Sequence, residues 1–520
     1  MKWRFGLILA FLITSAAACG DDNKKVDNVV YITATPQVDG DGHPIIWPTM
    51  TPPGPTDTPL QPTPNPTRVI PQSGGEYIIQ AGDSLLSVAQ LYGVGVEEII
   101  ALNPQIVDPN TLEVGQTINV PGGVTTIGPN FKLVPDSEVV YGPTASEFSI
   151  ASFVKGRQGF LRAYSEMIDE EPWSGVEIID FVAKSYSVNP RLLLAILEYR
   201  SGWLTDPYPG DQAINYPMGI IKEGREGLLR QMLDAADALN AGYYGWKYRG
   251  NIALTFVDGV RIFYAPDLNT GTVAVQYMLS LSVASPQWQL DVGESGFFQT
   301  YLAFFGDPFT QAIDPIVPPD IQQPTLRLPF APGEEWVYTG GPHGAYNSGS
   351  AWSAVDFAPP EPPDELVAAQ GSCYISPNWV TAVADGVIAR SGNGYVILDL
   401  DGDGNEHTGW TLVYLHIDNL DVIEQGKRVQ AGDKLGHPSC MGGVSNGTHL
   451  HFGRRYNGEW IPVICEECAP GVTVPPMVLG EWTMFGYPNQ EYQGYMTRAG
   501  DDGYRQAEQT RDYTQNKVSW

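Results

Sequence analysis

The residues best suited to chemistry lie in Gly447-Thr448-His449-Leu450-His451-Phe452, which holds two of only seven histidines in a chain of 520 residues. Alternate residues of a β-strand share a face, so His449 and His451 would present two imidazoles side by side, about 6 to 7 Å apart along the backbone. Such a pair is half of a metal site, and it is also what two packed or surface histidines look like. Other residues weigh on the choice. His343 stands in Gly341-Pro342-His343-Gly344 and His416 in Val413-Tyr414-Leu415-His416-Ile417, with an acidic partner, Asp356, between them in Ala354-Val355-Asp356-Phe357. His407 and His437 lie in turn-like sequence and read as surface residues.

The order His, Asp, Tyr-x-His, His-x-His resembles that of the lysostaphin-type zinc metallopeptidases, over roughly residues 325 to 470. Most of those enzymes carry the first His four residues before the Asp, where this chain has Trp352. Here the candidate is His343, thirteen residues ahead (356 − 343), across a Gly/Ser/Asn-rich loop from Gly344 to Ser353. That long spacing resembles the β-lytic and staphylolysin branch, whose members favour Gly-Gly bonds. The resemblance implies that His343, Asp356 and His451 hold Zn2+ and leave a fourth position for water, the mark of a catalytic site. Zinc so held polarises a carbonyl and lowers the pKa of its water toward about 7. His416 and His449 are then the general base and the stabilisers of the tetrahedral oxyanion.

These residues need a scaffold of strands. Trp379 to Val383, Gly386 to Ala389, Tyr395 to Leu400 and Trp410 to His416 read as short antiparallel strands with Gly-rich turns, hence a β-sandwich-like domain with the site in an open groove. Gln425 to Gly436 matches the turn-rich V-x-x-G-D-x-I-G segment of the same family. Asp399-Leu400-Asp401-Gly402-Asp403-Gly404 imitates the start of a calcium loop, but position twelve would be Trp410 rather than a bidentate Glu, so it reads as a hairpin loop.

Upstream, Met1 to Arg4 is a positive n-region, Phe5 to Ile13 an apolar run too short to span a bilayer, and Ala16-Ala17-Ala18-Cys19 follows. This resembles a bacterial lipoprotein signal with Cys19 lipidated; a plain secretory signal cut near Ala18 is the alternative, and both export the chain. Setting Cys19 aside, four of the five cysteines remain: Cys373, Cys440, Cys465 and Cys468. An even remainder in an exported chain suggests two disulfides, with Cys373–Cys440 and Cys465–Cys468 preferred among three connectivities. The Pro/Thr-rich stretch 33–71 builds no core and favours polyproline II, a spacer reaching on the order of 100 Å at roughly 3 Å per residue. With 59 acidic against 29 basic residues, a net charge of −30 argues against nucleic-acid binding and against anionic lipids held by charge.

Residues 76–122 resemble a LysM module, on Tyr77 to Leu85, the helix-like Val88 to Tyr92, Glu97 to Pro104 and Leu112 to Pro121, implying a βααβ unit that binds N-acetylglucosamine-containing glycan. Asp83 or Ser84 would cap its first helix. Ser187 to Trp203, in a helical region at 140–315, resembles the catalytic helix of lysozyme-like lytic transglycosylases, and Pro217 to Ile220 their Gly-Leu-Met-Gln element. Arg200 occupies the place of their general-acid Glu, and a guanidinium cannot protonate a glycosidic oxygen near neutral pH. Glu198, two positions earlier, would face about 200° away. The reading is a degenerate, non-catalytic domain.

The expected architecture is therefore multidomain α+β: signal peptide 1–19, tether 20–75, LysM module 76–122, mostly α lysozyme-like domain 140–315, antiparallel β-sandwich-like peptidase 325–475, and a C-terminal extension 476–520 of a strand or two with a frayed end. The expected function is a lipid-anchored, cell-envelope Zn2+ endopeptidase with peptidoglycan as partner, its glycan held by LysM and its peptide cut at the zinc site. The alternative is a wall-binding lipoprotein that scaffolds another hydrolase.

Overall fold

The computed structural model describes residues 75–79, 83–92, 94–106, 112–121 and 126–520, the last without 466–467, 470, 488–489, 501–502 and 511–513. Cys19 and the Pro/Thr-rich stretch lie outside the described residues. Among those described, no helix is long and apolar enough to cross a membrane.

The first unit is built as its pattern dictates. Strands Gly75–Ile78 and Thr117–Val120 pair antiparallel around helices Leu85–Tyr92 and Val96–Leu102. Their apolar positions, Leu85, Val88, Ile99, Ile118 and Val120, close one small core. Asn103 is fully buried; its amide donates to the Ile99 carbonyl and its side-chain oxygen accepts from Asn119 N at 2.7 Å, tying helix to strand. Asp83 accepts a hydrogen bond from the Tyr77 hydroxyl at 2.8 Å.

The second unit is mostly helical. Helix Gly175–Tyr186 starts on a Ser174/Glu177 capping box, and helix Pro190–Ser201 on Asn189, whose side chain accepts from Arg191 N, with Pro190 in the first turn. The longest helix, Leu228–Tyr248, packs along Thr270–Ser280; at Gly242 a Cβ would lie 2.7 Å from Tyr277 Cβ, so only glycine allows the approach. Arg200 points at structure, not at a cleft: it ion-pairs with the buried Asp291 at 2.9 Å and donates to the Leu279 carbonyl at 2.7 Å. Glu198 is spent on the following turn, accepting from Leu204 N at 2.8 Å and from the Thr205 hydroxyl.

The third unit is one antiparallel sheet. Its strands run Arg428–Val429, Gly386–Gly392, Gly394–Asp399, Trp410–Ile417, Leu450–Tyr456, Ala354–Ala358, Trp336–His343 and Lys517–Val518, with Glu459–Trp460 hairpinned onto Leu450–Tyr456. One face buries Val355, Phe357, Val396, Leu398, Leu412, Tyr414 and Phe452 against a second, four-stranded sheet formed by the C-terminal extension, which supplies Leu479, Trp482, Met484 and Met496. The expected frayed end is wrong: Val518 is fully buried as an edge strand and the Trp520 indole donates to the Phe330 carbonyl, because the extension completes this core. The Asp399 to Gly404 loop turns on Asp399, whose carboxylate accepts from the backbone N–H groups of Gly402 and Gly404.

The other face carries Ala354, Tyr395, Ile397, Val413, Leu415 and Trp460, which share one continuous core with the helical unit. Polar groups are buried in this joint. Glu459, fully buried, accepts from Tyr243 and Tyr248 hydroxyls and Lys247 Nζ. Glu406 pairs with Arg390 at 2.9 Å and Arg455 at 3.0 Å. His407 was expected at the surface and is instead buried: its ring stacks on Tyr141 at 3.7 Å and Nδ1 donates to the Tyr141 carbonyl. His437 is also buried, donating to the Asn378 carbonyl beside Trp379. The turns that hold both are polar in sequence, but other segments fold over them.

Burial, only partly offset by Glu406, pushes the His407 imidazole down from 6.5 to about 4. The unfolded chain therefore takes up a proton as pH falls through 6.5 while the folded chain does not until about 4, so stability drops across that window and levels off below it. His407→Phe, which keeps the stack, should remove about 2 kcal/mol of the stability lost between about pH 7 and about pH 4.5, read by urea unfolding. Equal losses in both proteins would show that His407 does not carry the effect.

Candidate metal centre

Register brings the ligands together. Asp356 stands directly opposite His451 in the ladder, and His343 opposite Ala354, two residues from Asp356 and therefore on the same face. His449 shares that face with His451 by alternation. His416 would not: it follows Leu415, the residue opposite His451, and a regular strand would turn it to the other side. It is the extra residue of a bulge, Gly394 pairing with Ile417 and Tyr395 with Leu415, and its left-handed backbone (φ 67°) re-aims the ring into the site. The His416 and His449 rings end 4.5 Å apart.

Backbone carbonyls fix the tautomers. His343 Nδ1 donates to Gly341 O (2.8 Å) and His451 Nε2 to Ala345 O (3.0 Å), which leaves His343 Nε2 and His451 Nδ1 as lone pairs pointing inward. These nitrogens lie 2.9 Å apart and 3.3 and 3.2 Å from Asp356 Oδ1, which is buried without a hydrogen-bond partner among the described residues. Three acceptors converging without a donor repel one another unless they share a cation, so the donor set fits a metal of the zinc kind. His416 Nδ1 donates to Met441 O (3.2 Å) and His449 Nδ1 to Gly447 O (2.7 Å), so each keeps a basic Nε2; that of His449 is 3.7 Å from Asp356 Oδ1.

The electrostatics agree. Burial alone would raise Asp356, yet the imidazoles of His343 and His449 hold its carboxyl well below the usual range. Burial pulls His343 down, but Asp356 outweighs it and raises the imidazole, the proton answering the same deficit of positive charge. Burial and the neighbouring His449 and His451 keep His416 neutral, as a base must be.

His343, His416 and His451 are all buried, whereas His449 is only partly buried and Tyr492, at the edge of the site, is exposed. Two residues that sequence reasoning missed border it. Tyr492 stacks on the His343 ring at 4.2 Å, from a backbone at φ 67°, and the Glu491 carboxylate accepts from Gly344 N at 2.9 Å. No spacing in the tail marks them; they arrive because strand Gln490–Arg498 lies against Trp336–His343, where a Cβ on Gly341 would meet Gln493 backbone at 2.6 Å. Two disulfides are formed, Cys373–Cys440 (S–S 2.10 Å) and Cys465–Cys468 (1.99 Å). The first joins the loops beside His416 and His449, through Met441 and through Ser372, whose carbonyl receives Thr448 N. Asp399, Asp401 and Asp403 gather on the opposite side of the strand order, away from these ligands in sequence and register.

The sequence matches three family models: LysM domain over residues 77–121, LasA N-terminal domain over 132–318, and Peptidase family M23 over 370–462. The chain carries these three domains. Its helical unit is thus matched as a LasA N-terminal domain. His343 and Asp356 fall between the matched segments, so their place in the site rests on the geometry above. Protease LasA of two Pseudomonas aeruginosa strains is 26% and 27% identical over 347 and 349 residues, 63% of this chain and 74% of each relative. An endolysin of Bacillus phage PZA is 45% identical over 47 residues, 9% of this chain and 18% of its own. The solved M23 metalloprotease pseudoalterin is 24% identical, covering 36% of this chain and 96% of its own at a TM-score of 0.27, too low to carry weight. A LasA-like M23 peptidase joined to a LysM domain is a cell-wall-binding metalloendopeptidase.

Gly340 also stands opposite Asp356, and a Cβ there would lie 2.5 Å from Oδ2. Gly340→Ala should push the carboxylate aside and weaken zinc affinity about tenfold or more, measured by competition with a chromogenic chelator. Unchanged affinity in a folded variant would remove Asp356 from the ligand set.

Proposed function

We propose that this chain is a Zn2+ endopeptidase of bacterial peptidoglycan, hydrolysing peptide bonds in the stem peptide or cross-bridge, exported and held at the envelope by lipid on Cys19. The observation that carries the catalytic part is the convergence of His343 Nε2, His451 Nδ1 and Asp356 Oδ1 with no donor among them.

His343, Asp356 and His451 would hold the zinc, which when bound acts as a Lewis acid toward a carbonyl and activates water. The chain's own groups do the rest. The His416 imidazole, kept neutral by burial and with Nδ1–H engaged, can take a proton at Nε2 from the attacking water. His449, its Nδ1–H likewise engaged, offers Nε2 beside the same space and, once protonated, can hydrogen-bond the developing oxyanion. Two roles fall to two histidines 4.5 Å apart, and either can return the proton to the leaving amine. Tyr492 walls the His343 side.

The LysM domain supplies the address: a second, glycan-directed contact on the same chain raises the local concentration of peptide at the centre without any new contact there. In the helical unit Arg200 is committed to Asp291 and Glu198 to the Leu204 turn, so neither serves as a general acid.

Purified protein should contain about one zinc per chain and clear a suspension of purified peptidoglycan. His451→Ala should lose both metal and clearing. His416→Ala should keep its zinc and lose about 10²- to 10⁴-fold in kcat, the range for a missing general base. A His416→Ala enzyme of near-normal kcat would assign the proton to another group, and a folded wild type with neither zinc nor clearing would end the enzyme reading.

A further inference from the structure

A cavity of about 320 Å³ lies in the joint between the helical unit and the peptidase sheet, lined by Tyr244, Tyr248, Arg249, Asn251 and Tyr277 from one side and by Trp352, with its neighbours, from the other. Its volume is at the lower end of small-molecule sites, which run from about 300 Å³. The aromatic residues are turned in a particular way. The Tyr248 hydroxyl is taken by Glu459 and the Tyr244 hydroxyl receives Trp460 N at 3.0 Å, so ring carbon is what both offer the cavity. Their rings are near-parallel, 9° apart in plane. Polar groups stand beside this platform: the exposed amide of Asn251 and the Arg249 guanidinium.

The charge decides the ligand class. Arg249 donates to the carbonyls of Ser348 and Gly349, so part of its donor fork is already engaged, and burial pulls the guanidinium down although the Glu491 and Asp237 carboxylates partly offset this; an anion entering the cavity would meet those same carboxylates. A purely apolar ligand would strip water from the Asn251 amide and the guanidinium without replacing it. A neutral molecule with one apolar face and a rim of hydroxyl and amide groups satisfies both, and an N-acetylated pyranose is such a molecule.

We propose that this cavity is a saccharide subsite, separate from the LysM domain, that takes a mono- or disaccharide of N-acetylated amino sugar from the strand whose peptide is being cut. The proposal rests on the peptidoglycan reading. One loop ties the cavity to the metal centre: Arg249 holds Gly349 O at 3.1 Å, Ala345 N donates to Ala351 O at 3.1 Å, and the Ala345 carbonyl fixes the His451 tautomer. A sugar seated against Trp352 and Arg249 therefore presses on the Gly344 to Ser353 loop that joins two of the three metal ligands.

The full chain, with its metal, is tested in two ways. With N,N′-diacetylchitobiose, hydrogen–deuterium exchange should slow in segments 244–252 and 349–353 as well as in the LysM helices; in Asn251→Ala/Tyr277→Phe, protection should vanish at the first two and persist in LysM. In parallel, KM for a disaccharide-bearing stem peptide should be about fivefold or more below that for the sugar-free peptide, and the double variant should erase this ratio while cleaving the sugar-free peptide as wild type does. Protection confined to LysM with an unchanged KM ratio overturns the subsite and leaves the endopeptidase standing. Cleavage of neither substrate by wild type overturns the function from which the sugar's identity was drawn.

Discussion

The centre of this protein is organised by an electrostatic deficit. An ionised carboxylate and two imidazole lone pairs are buried within 3.3 Å of one another, and each imidazole is denied the option of turning its N–H inward because a backbone carbonyl holds that proton on the far side. A buried set of acceptors costs several kcal/mol per uncompensated charge, and a divalent cation removes that cost at one stroke. The surrounding features follow from keeping this set in place: Gly340 opposite Asp356, the bulge at His416, the disulfide that joins the flanking loops, and the ring of Tyr492 laid on His343.

The same economy governs the joint between the helical unit and the peptidase sheet. Its apolar part is continuous with the helical core, and its polar part is closed on itself. Glu459 is met by Lys247 and two tyrosine hydroxyls, and Glu406 by two guanidinium groups. Paired charges of this sort add little net stability compared with a well-packed apolar contact, but removing one partner is costly, so they tolerate a single relative placement of the two units. The cavity beside Trp352 exists because that placement is fixed.

The centre's residues were legible in the sequence because they are rare and regularly spaced. Seven histidines in 520 residues leave few candidates, and His449 and His451, two apart, announce a shared strand face. The helix starts at Ser174 and Asn189-Pro190 are local as well, since capping is a local hydrogen-bond problem. His407 and His437 were misread for the complementary reason. Burial of a turn residue depends on what another segment lays over it, Tyr141 in one case and Trp379 in the other, and no local pattern encodes that.

What the sequence determined by itself was therefore the inventory: which side chains could bind metal or move protons, the domains in their order along the chain, and the strands and helices whose periodicity is local. Tertiary structure decided how those parts face one another. It turned His416 onto the metal face through a bulge that strand alternation would not give, and brought Tyr492 and Glu491 to His343 from about 150 residues away (492 − 343 = 149). Side-chain direction along one strand is set by backbone chemistry within a few residues, whereas bulges, strand order and the covering of one face by another domain are settled by packing between distant segments.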